Sequence, residues 1–136
     1  MKETAEQRSR IMRAVKGADT TPELAVRRLA HGMGFRFRLH RKDLPGKPDL
    51  TFPRLRKVIF VHGCFWHGHD CARGARVPVQ NRDYWTRKVA RNTERDRNAQ
   101  SALQRLGWKS LVVWECEIRD QARLRRALRR FLGRVA

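Results

Sequence analysis

The stretch Lys57-Val58-Ile59-Phe60-Val61-His62-Gly63-Cys64 decides the fold of this chain. Its first six residues are almost all apolar, which is typical of a strand buried on both faces of a sheet. Residues 49–52 and 109–114 are also short and largely apolar, whereas residues 35–40 alternate strictly between apolar and cationic side chains. These patterns predict two more extended segments and one half-buried strand. We therefore expect a sheet with residues 57–62 at its centre.

A helix is predicted before these strands, beginning at Thr21-Pro22-Glu23 and ending at Gly34. Thr21 can cap the helix, Pro22 suits its first position, and Glu23 complements the helix dipole. The inward-facing side chains are expected to be Ala25, Leu29 and Met33.

Two more helices are predicted, over residues 83–106 and 120–132. The inward-facing side chains of the longer one are expected to be Trp85, Val89, Ala99, Leu103 and Leu106. Residues 1–18 are mainly polar and basic and are expected to form a short helix or an arm that contacts DNA. The order of elements predicts an α/β fold, a central mixed sheet flanked by helices, in a single domain over residues 1–136.

The charge of the chain points to a polyanionic partner. It has 32 lysines and arginines against 13 acids, a net charge of +19, and nucleic acid is the commonest partner of so cationic a protein. A ribosomal or merely soluble basic protein is the alternative. We expect no membrane partner, since no apolar run approaches the roughly 20 residues of a membrane span. Three cysteines cannot all form disulfides, which favours the reducing cytoplasm.

The cysteines and nearby histidines predict a zinc site. Cys64, His69 and Cys71 follow the central strand with the spacing C-x₄-H-x-C, and Cys116 follows the strand that ends at Trp114. A Cys₃His set would tie the loop after the central strand to a neighbouring strand end, as a closed structural site does. His67 competes for the fourth position. The alternative is a set of buried cysteines without metal.

Asp49 is the candidate ligand of a catalytic metal. It follows a Pro-Gly-Lys-Pro turn and precedes the central strand, which is where nucleases with a Pro-Asp…Asp/Glu-x-Lys core place their first Mg²⁺ ligand. By itself the Pro48-Asp49 pair is a weak signal, and it favours an aspartate that caps its own turn. The acid-x-lysine half of that core is missing, and Val61 at its position offers only a backbone carbonyl.

Histidines are therefore candidates for the remaining chemistry. His62 and His67 can position or deprotonate water near neutral pH, or can serve as a zinc ligand or a phosphate contact instead. Glu23 is a candidate carboxylate for the site, although a role restricted to the helix dipole is the simpler interpretation.

Several side chains suit contact with DNA. Phe65 and Trp66 interrupt the cluster of zinc ligands and can wedge between base pairs or pack against the zinc loop. Trp85 has the same two alternatives, core or wedge. Lys88 and Asn92, about one and two helical turns further on, suit phosphate and base-edge contacts.

Taken in order, these motifs resemble the very-short-patch repair endonucleases, bacterial enzymes that nick T:G mismatches. The resemblance runs from about Ser9 to Ile118. It is carried by Pro45-Gly46-Lys47-Pro48-Asp49, the segment from Phe60 to Cys71, Asn92-Thr93-Glu94-Arg95-Asp96-Arg97, Gly107-Trp108 and Val113-Trp114-Glu115-Cys116. It implies a restriction-endonuclease-like core of the PD-(D/E)xK type, stabilised by structural zinc.

The resemblance also implies roles for individual residues. It makes Asp49, with the Val61 carbonyl, the Mg²⁺ site, His67 the catalytic imidazole, and His62 and Glu23 groups that act around the waters of the metal. The implied zinc ligands are Cys64, His69, Cys71 and Cys116. The implied DNA contacts are the aromatics Phe65, Trp66 and Trp85 in the major groove and the helix around Met12 on the minor-groove side.

The implied activity is hydrolysis of the phosphodiester 5′ of the thymine where deaminated 5-methylcytosine leaves T opposite G. We expect a monomer, because a nick needs one active site, and transient contacts with mismatch-repair proteins and a repair polymerase. Two other classes remain open: a related endonuclease of broader specificity, and a non-catalytic, zinc-stapled DNA-binding module.

Overall fold

A computed structural model describes residues 20–64 and 80–133 of the chain. In these ranges a short sheet is interleaved with helices. The elements are α1 (Thr21–Gly32), β1 (Arg38–Leu39), β2 (Leu50–Phe52), β3 (Lys57–His62), α2 (Arg82–Arg105), β4 (Lys109–Trp114), a 3₁₀ helix (Glu115–Arg119) and α3 (Gln121–Leu132). The predicted arm over residues 1–18 lies outside the described residues.

The sheet is mixed and has the order β1-β2-β3-β4. The β1–β2 and β2–β3 pairs are antiparallel, with Leu50 opposite Ile59. The β3–β4 pair is parallel, in register from Lys57 and Lys109 to His62 and Trp114. This mixed four-stranded sheet with flanking helices confirms the predicted α/β class and is consistent with an α/β nuclease fold.

The two faces of the sheet carry different helices. On one face α1 and α3 pack against Leu50, Ile59 and Val113, which are at most 2% exposed. On the other face Leu103 of α2 packs with Val58 and Phe60. Successive strand residues point to opposite faces, so α1 and α2 lie on opposite sides of β3.

Helix α3 runs back along the sheet. Its N-cap Asp120 follows the 3₁₀ helix after β4, and its side chain accepts a hydrogen bond from the Arg123 N–H. At its other end, Lys57 Nζ donates to the Phe131 carbonyl at 2.6 Å. Since Lys57 begins β3, α3 spans from the carboxyl end of β4 to the beginning of β3. No helix in residues 20–64 and 80–133 is long and apolar enough to cross a membrane.

The buried face of α1 differs from the prediction. Thr20, not Thr21, caps the helix, its Oγ1 accepting a hydrogen bond from the Glu23 N–H at 3.3 Å. The fully buried positions are Glu23, Val26 and Ala30, whereas the predicted Ala25, Leu29 and Met33 are only half-buried. The small side chains of Val26 and Ala30 let the helix approach the sheet closely, and this turns Glu23 inward.

Other predicted boundaries hold more closely. Strands β3 and β4 have the predicted bounds, and α2 begins and ends within one residue of its prediction. The first strand is shorter than residues 35–40, since only Arg38 and Leu39 pair with β2. Leu106 was expected inside but is 55% exposed, because the helix ends before it and Gly107 turns the chain with a φ of 85°.

Candidate active site

Asp49 is held at the edge of the β2–β3 ladder. A turn in which the Lys47 N–H donates to the Leu44 carbonyl, at 3.2 Å, delivers the chain to β2. Just before that strand, Asp49 Oδ2 accepts a hydrogen bond from the Val61 N–H at 2.7 Å. The carboxylate thus takes the place of a backbone acceptor where the antiparallel ladder ends, which fixes it against the carboxyl end of β3.

Glu23 and His40 join Asp49 in one cluster. Glu23 comes from the first turn of α1, His40 from the end of β1 and Asp49 from the start of β2. One donor atom from each lies within 4.8 Å of the other two. We call these three residues the acidic cluster. Glu23 is 1% exposed, so the structure places this carboxylate inside the protein and not at a solvated helix end.

The electrostatics of the acidic cluster are unfavourable without a cation. Burial raises the pKa of Asp49 to about 6, against the hydrogen bond from Val61, which lowers it, and the Glu23 carboxylate raises it further. Arg27 Nη1 lies 3.0 Å from Glu23 Oε2 and His40 Nε2 lies 2.8 Å from the same oxygen. One buried and one half-buried carboxylate beside an imidazole form an oxygen-rich donor set that fits a divalent cation.

His62 lies away from the acidic cluster, on the face of the sheet that α2 covers. It is 5% exposed, and its ring packs between Phe60 and Trp114 at centroid distances of 5.7 and 5.2 Å. Its Nδ1 is 3.8 Å from Asp96 Oδ2 on α2. The structure therefore joins Glu23 to Asp49 and separates both from the ring of His62, although His62 directly follows Val61 in the chain.

Two of the predicted zinc ligands meet. Cys64 and Cys116 each follow the carboxyl end of a strand, β3 or β4, and these ends are paired in parallel. The Cys116 N–H donates to Cys64 Sγ at 3.4 Å. An N–H bond to sulfur stabilises a thiolate, the form that zinc binds. The other two candidates, His69 and Cys71, lie outside the described residues.

The DNA-contacting candidates fall into two groups. Trp85, Lys88 and Asn92 share the inner side of α2: Trp85 is 2% exposed, and the other two are half-buried. The burial of Trp85 favours its alternative role as a core residue, since a ring in this position would have to leave the core to enter a duplex. The remaining candidates, which lie outside the described residues, are Met12, Phe65, Trp66 and the catalytic candidate His67.

Sequence reasoning missed His40. It ends the alternating segment 35–40, where the pattern marks it only as one more cationic side chain. Its backbone is left-handed, with a φ of 48°, and its N–H donates to the Asp49 carbonyl at 3.2 Å. No local sequence signal gives this contact, because it arises from the pairing of β1 with β2.

Comparisons with known proteins give the family. A family model described as DNA mismatch endonuclease Vsr matches residues 2–73. The chain is 50% identical over 127 residues to the Type II nicking enzyme V.XorIIP of Xanthomonas oryzae pv. oryzae (strain KACC10331 / KXO85), covering 93% of each protein. It is 44% identical over 117 residues to the DNA mismatch endonuclease Vsr of Escherichia coli (strain K12), covering 86% of this chain and 74% of that protein. It is also 39% identical over 132 residues to the Type II nicking enzyme V.NmeAIP of Neisseria meningitidis serogroup A, covering 97% of this chain and 94% of that protein. The chain belongs to the Vsr family of DNA mismatch endonucleases.

Proposed function

We propose that this protein nicks one DNA strand 5′ of the thymine in a T:G mismatch and so initiates very-short-patch repair. The observation that carries the proposal is the acidic cluster, in which the half-buried Asp49 and the buried Glu23 lie together although they are far apart in the sequence. A buried carboxylate beside a half-buried one costs folding free energy unless cations pair with the charges, so the arrangement indicates a use. Within a family of DNA endonucleases, that use is to hold a metal beside the scissile phosphate.

We propose Mg²⁺ as the metal, held by Asp49 and the Val61 carbonyl. In a strand the N–H and C=O of one residue point to the same side, and the Val61 N–H already points to Asp49. When bound, Mg²⁺ supplies charge neutralisation at the phosphate and lowers the pKa of water. The protein's own residues orient this site: the ladder fixes Asp49, while Arg27 and His40 hold Glu23.

His67 is proposed as the imidazole that moves a proton during hydrolysis. His62 is proposed as a supporting group whose tautomer and orientation Asp96 influences from 3.8 Å. The restriction-endonuclease-like character of the core is part of the same proposal, supported by the antiparallel β2–β3 pair that carries Asp49 and by the parallel β3–β4 pair behind it.

We also propose a structural zinc ion bound by Cys64, His69, Cys71 and Cys116. The contact between Cys64 and the Cys116 N–H supports it, because two ligands 52 positions apart are already adjacent. The role of such an ion is to fix the loop that begins at Gly63, which carries Phe65, Trp66 and His67. Zinc content of the purified protein, measured with and without Cys116→Ser, checks the proposal, and a full equivalent of zinc in the variant would contradict it.

The DNA contacts are proposed to come from Met12, Phe65, Trp66, Lys88 and Asn92, on a single domain that acts as a monomer in the bacterial cytoplasm. Trp85, which is buried on the inner side of α2, is proposed to support this DNA-contacting surface by packing beneath it. Transient contacts with mismatch-repair proteins and a repair polymerase belong to the same proposal.

A nicking endonuclease of broader specificity is the second candidate function. Two relatives are named Type II nicking enzymes, without mention of a mismatch. Such an enzyme would use the same acidic cluster. It would differ only in how Phe65 and Trp66 contact the DNA duplex. A binding module without catalysis is less well supported, because it has no need for Asp49 beside Glu23.

The deciding experiment compares wild type with Asp49→Ala on strand-labelled duplexes, with T:G in varied methylation-site contexts or fully paired. Asp43→Ala is the matched control, since Asp43 is an exposed aspartate of the same loop that pairs with Arg41. Omitting Mg²⁺, in preference to adding a chelator, leaves a zinc site intact. EDTA is then added as a second arm.

We expect Mg²⁺-dependent nicking 5′ of the thymine in wild type and Asp43→Ala, and loss of nicking in Asp49→Ala. Cleavage that ignores the mismatch would replace the proposal with the broader nuclease. Tight binding without a cut in every context would replace it with the binding module.

A further inference from the structure

His40 is placed at the acidic cluster by two independent constraints. Its N–H donates to the Asp49 carbonyl at 3.2 Å, and its backbone takes a left-handed φ of 48°. A residue other than glycine adopts this conformation only at a cost, and such outliers concentrate at functional sites. The backbone therefore adopts an unfavourable conformation at the residue whose imidazole lies beside Asp49, the candidate metal ligand.

The ring of His40 is aimed at both oxygens of Glu23. Its Nε2 lies 2.9 Å from Oε1 and 2.8 Å from Oε2, and the side chain remains 28% exposed. Adjacent ligands of an octahedral ion with bonds of about 2.1 Å lie about 3.0 Å apart. The separation between Nε2 and the carboxylate is a hydrogen-bond distance, and it also equals the distance between two neighbouring corners of one coordination sphere, with Asp49 within reach of a third.

We propose that Glu23 and His40 join Asp49 and the Val61 carbonyl as protein ligands of the catalytic metal, His40 through a ring nitrogen. This inference rests on the proposed function and adds to it a metal preference. Imidazole nitrogen contributes little to Mg²⁺, which prefers oxygen, and more to divalent transition ions. The cluster of two carboxylates and one imidazole therefore binds Mn²⁺ more tightly than Mg²⁺, and His40 supplies the difference.

Glutamine is the informative replacement for His40. Its amide N–H can hydrogen-bond Glu23 when no cation is bound, and its amide oxygen can face a cation, so the change removes the imidazole nitrogen while keeping a polar side chain. His31→Gln is the matched control, because His31 is an exposed histidine at the end of α1 and outside the cluster. Mn²⁺ is the probe because thiolates select softer ions, which keeps it away from Cys64 and Cys116.

The test measures Mn²⁺ binding to wild type, His40→Gln, His31→Gln and Asp49→Asn by EPR titration, with Mg²⁺ as competitor, and then nitrogen coupling to bound Mn²⁺ by pulsed EPR. We expect nitrogen coupling in wild type and His31→Gln and none in His40→Gln. The His40→Gln change should weaken Mn²⁺ binding about tenfold or more and leave Mg²⁺ binding nearly unchanged. Circular dichroism of each variant checks that it is folded.

Each result decides the inference. Wild-type Mn²⁺ without nitrogen coupling, or coupling that persists in His40→Gln, would overturn the role of His40 even where Asp49-dependent nicking stands. If His40→Gln does not fold, the presence or absence of nitrogen coupling in the wild-type spectrum decides the role of His40. If Asp49→Asn binds Mn²⁺ as wild type does, the metal lies elsewhere, and the proposed function fails together with this inference.

Discussion

The negative charge of Asp49 is less favourable in the folded protein than in the unfolded chain. Its pKa is raised from 3.8 to about 6, chiefly because the carboxylate is buried and secondly because Glu23 lies beside it. A group that binds protons more tightly in the folded state destabilises that state once it is ionised. The site is therefore assembled at the expense of stability, as expected where a cation is to be held.

Replacing Asp49 with asparagine should make the metal-free protein more stable while abolishing nicking. Asparagine keeps an oxygen for the Val61 N–H and removes the charge, so the free energy of unfolding near neutral pH should rise by about 1–3 kcal/mol. Urea denaturation without added metal measures the difference. Equal or lower stability of the variant would show that the charge of Asp49 is already compensated within the protein.

Stability and activity should depend on pH in opposite directions. Between pH 3.8 and about 6 the folded protein binds the additional proton at Asp49, so the stability that this group contributes decreases as the pH rises through that window. Nicking at limiting Mg²⁺ should increase over the same window, because only the ionised carboxylate binds a cation. Raising the Mg²⁺ concentration should move the midpoint of the activity profile to lower pH, since the cation competes with the proton. If the midpoint of the activity profile did not change with the Mg²⁺ concentration, the group that titrates would not be Asp49.

The residues of the site differ in how far sequence reveals them. Pro48-Asp49 before an apolar strand is a local signal, and the structure places Asp49 just before β2 with its carboxylate on the Val61 N–H of β3. From the sequence, Glu23 is recognisable only as a carboxylate at the start of a helix. Nothing local shows that it lies on the same buried face of α1 as Val26 and Ala30. His40 is not visible at all, because its contacts come from strand pairing and an unusual φ.

At the scale of elements, the close approach of α2 to the turn before Asp49 depends on Gly46. This residue has a φ of 77°, and a Cβ there would lie 2.7 Å from Ala99 Cβ and 3.0 Å from the ring of Phe60. Gly46→Ala should therefore lower the free energy of unfolding by about 2–4 kcal/mol, from the left-handed backbone and the overpacking together.

Gly32→Ala is the control for that change. Nothing lies within 4 Å of a Cβ at Gly32, and no positive φ is imposed there. Its stability should be unchanged or higher by up to about 1 kcal/mol. Thermal unfolding of both variants checks the pair, and equal effects would mean that the turn before Asp49 yields to α2 without strain.

Elements with a strong apolar run were predictable to the residue, as β3 and β4 show. Their parallel register was not, although it is what brings Cys64 to Cys116. Leu29 and Met33 pack against the core as predicted, but the most deeply buried positions of α1, Val26 and Ala30, were missed because their side chains are smaller. Close packing of a helix against a sheet favours the smaller side chains at the point of contact, which hydrophobic periodicity alone does not weigh.

At the scale of the whole molecule, the excess of cationic side chains sets the response to salt. The net charge is +19, and α3 alone exposes Arg123, Arg125, Arg126, Arg129 and Arg130 and contains no acid. With about 6–10 phosphate contacts, affinity for duplex DNA should fall about 10³–10⁵-fold between about 50 and 200 mM salt. Fluorescence anisotropy on a paired and a mismatched duplex measures both slopes. A flat response would contradict DNA as the partner.

The hydrogen bond between Asp49 and the Val61 N–H has a consequence for the order in which the acidic cluster forms during folding. The carboxylate reaches its position only after β2 and β3 have paired, and Glu23 only after α1 has docked on that sheet. A partly folded chain already carries its excess of cationic side chains, whereas Asp49 and Glu23 have not yet come together. On the proposed function, binding to DNA through charge therefore needs less of the fold than cutting does, and a chain truncated before β3 should bind DNA without nicking it.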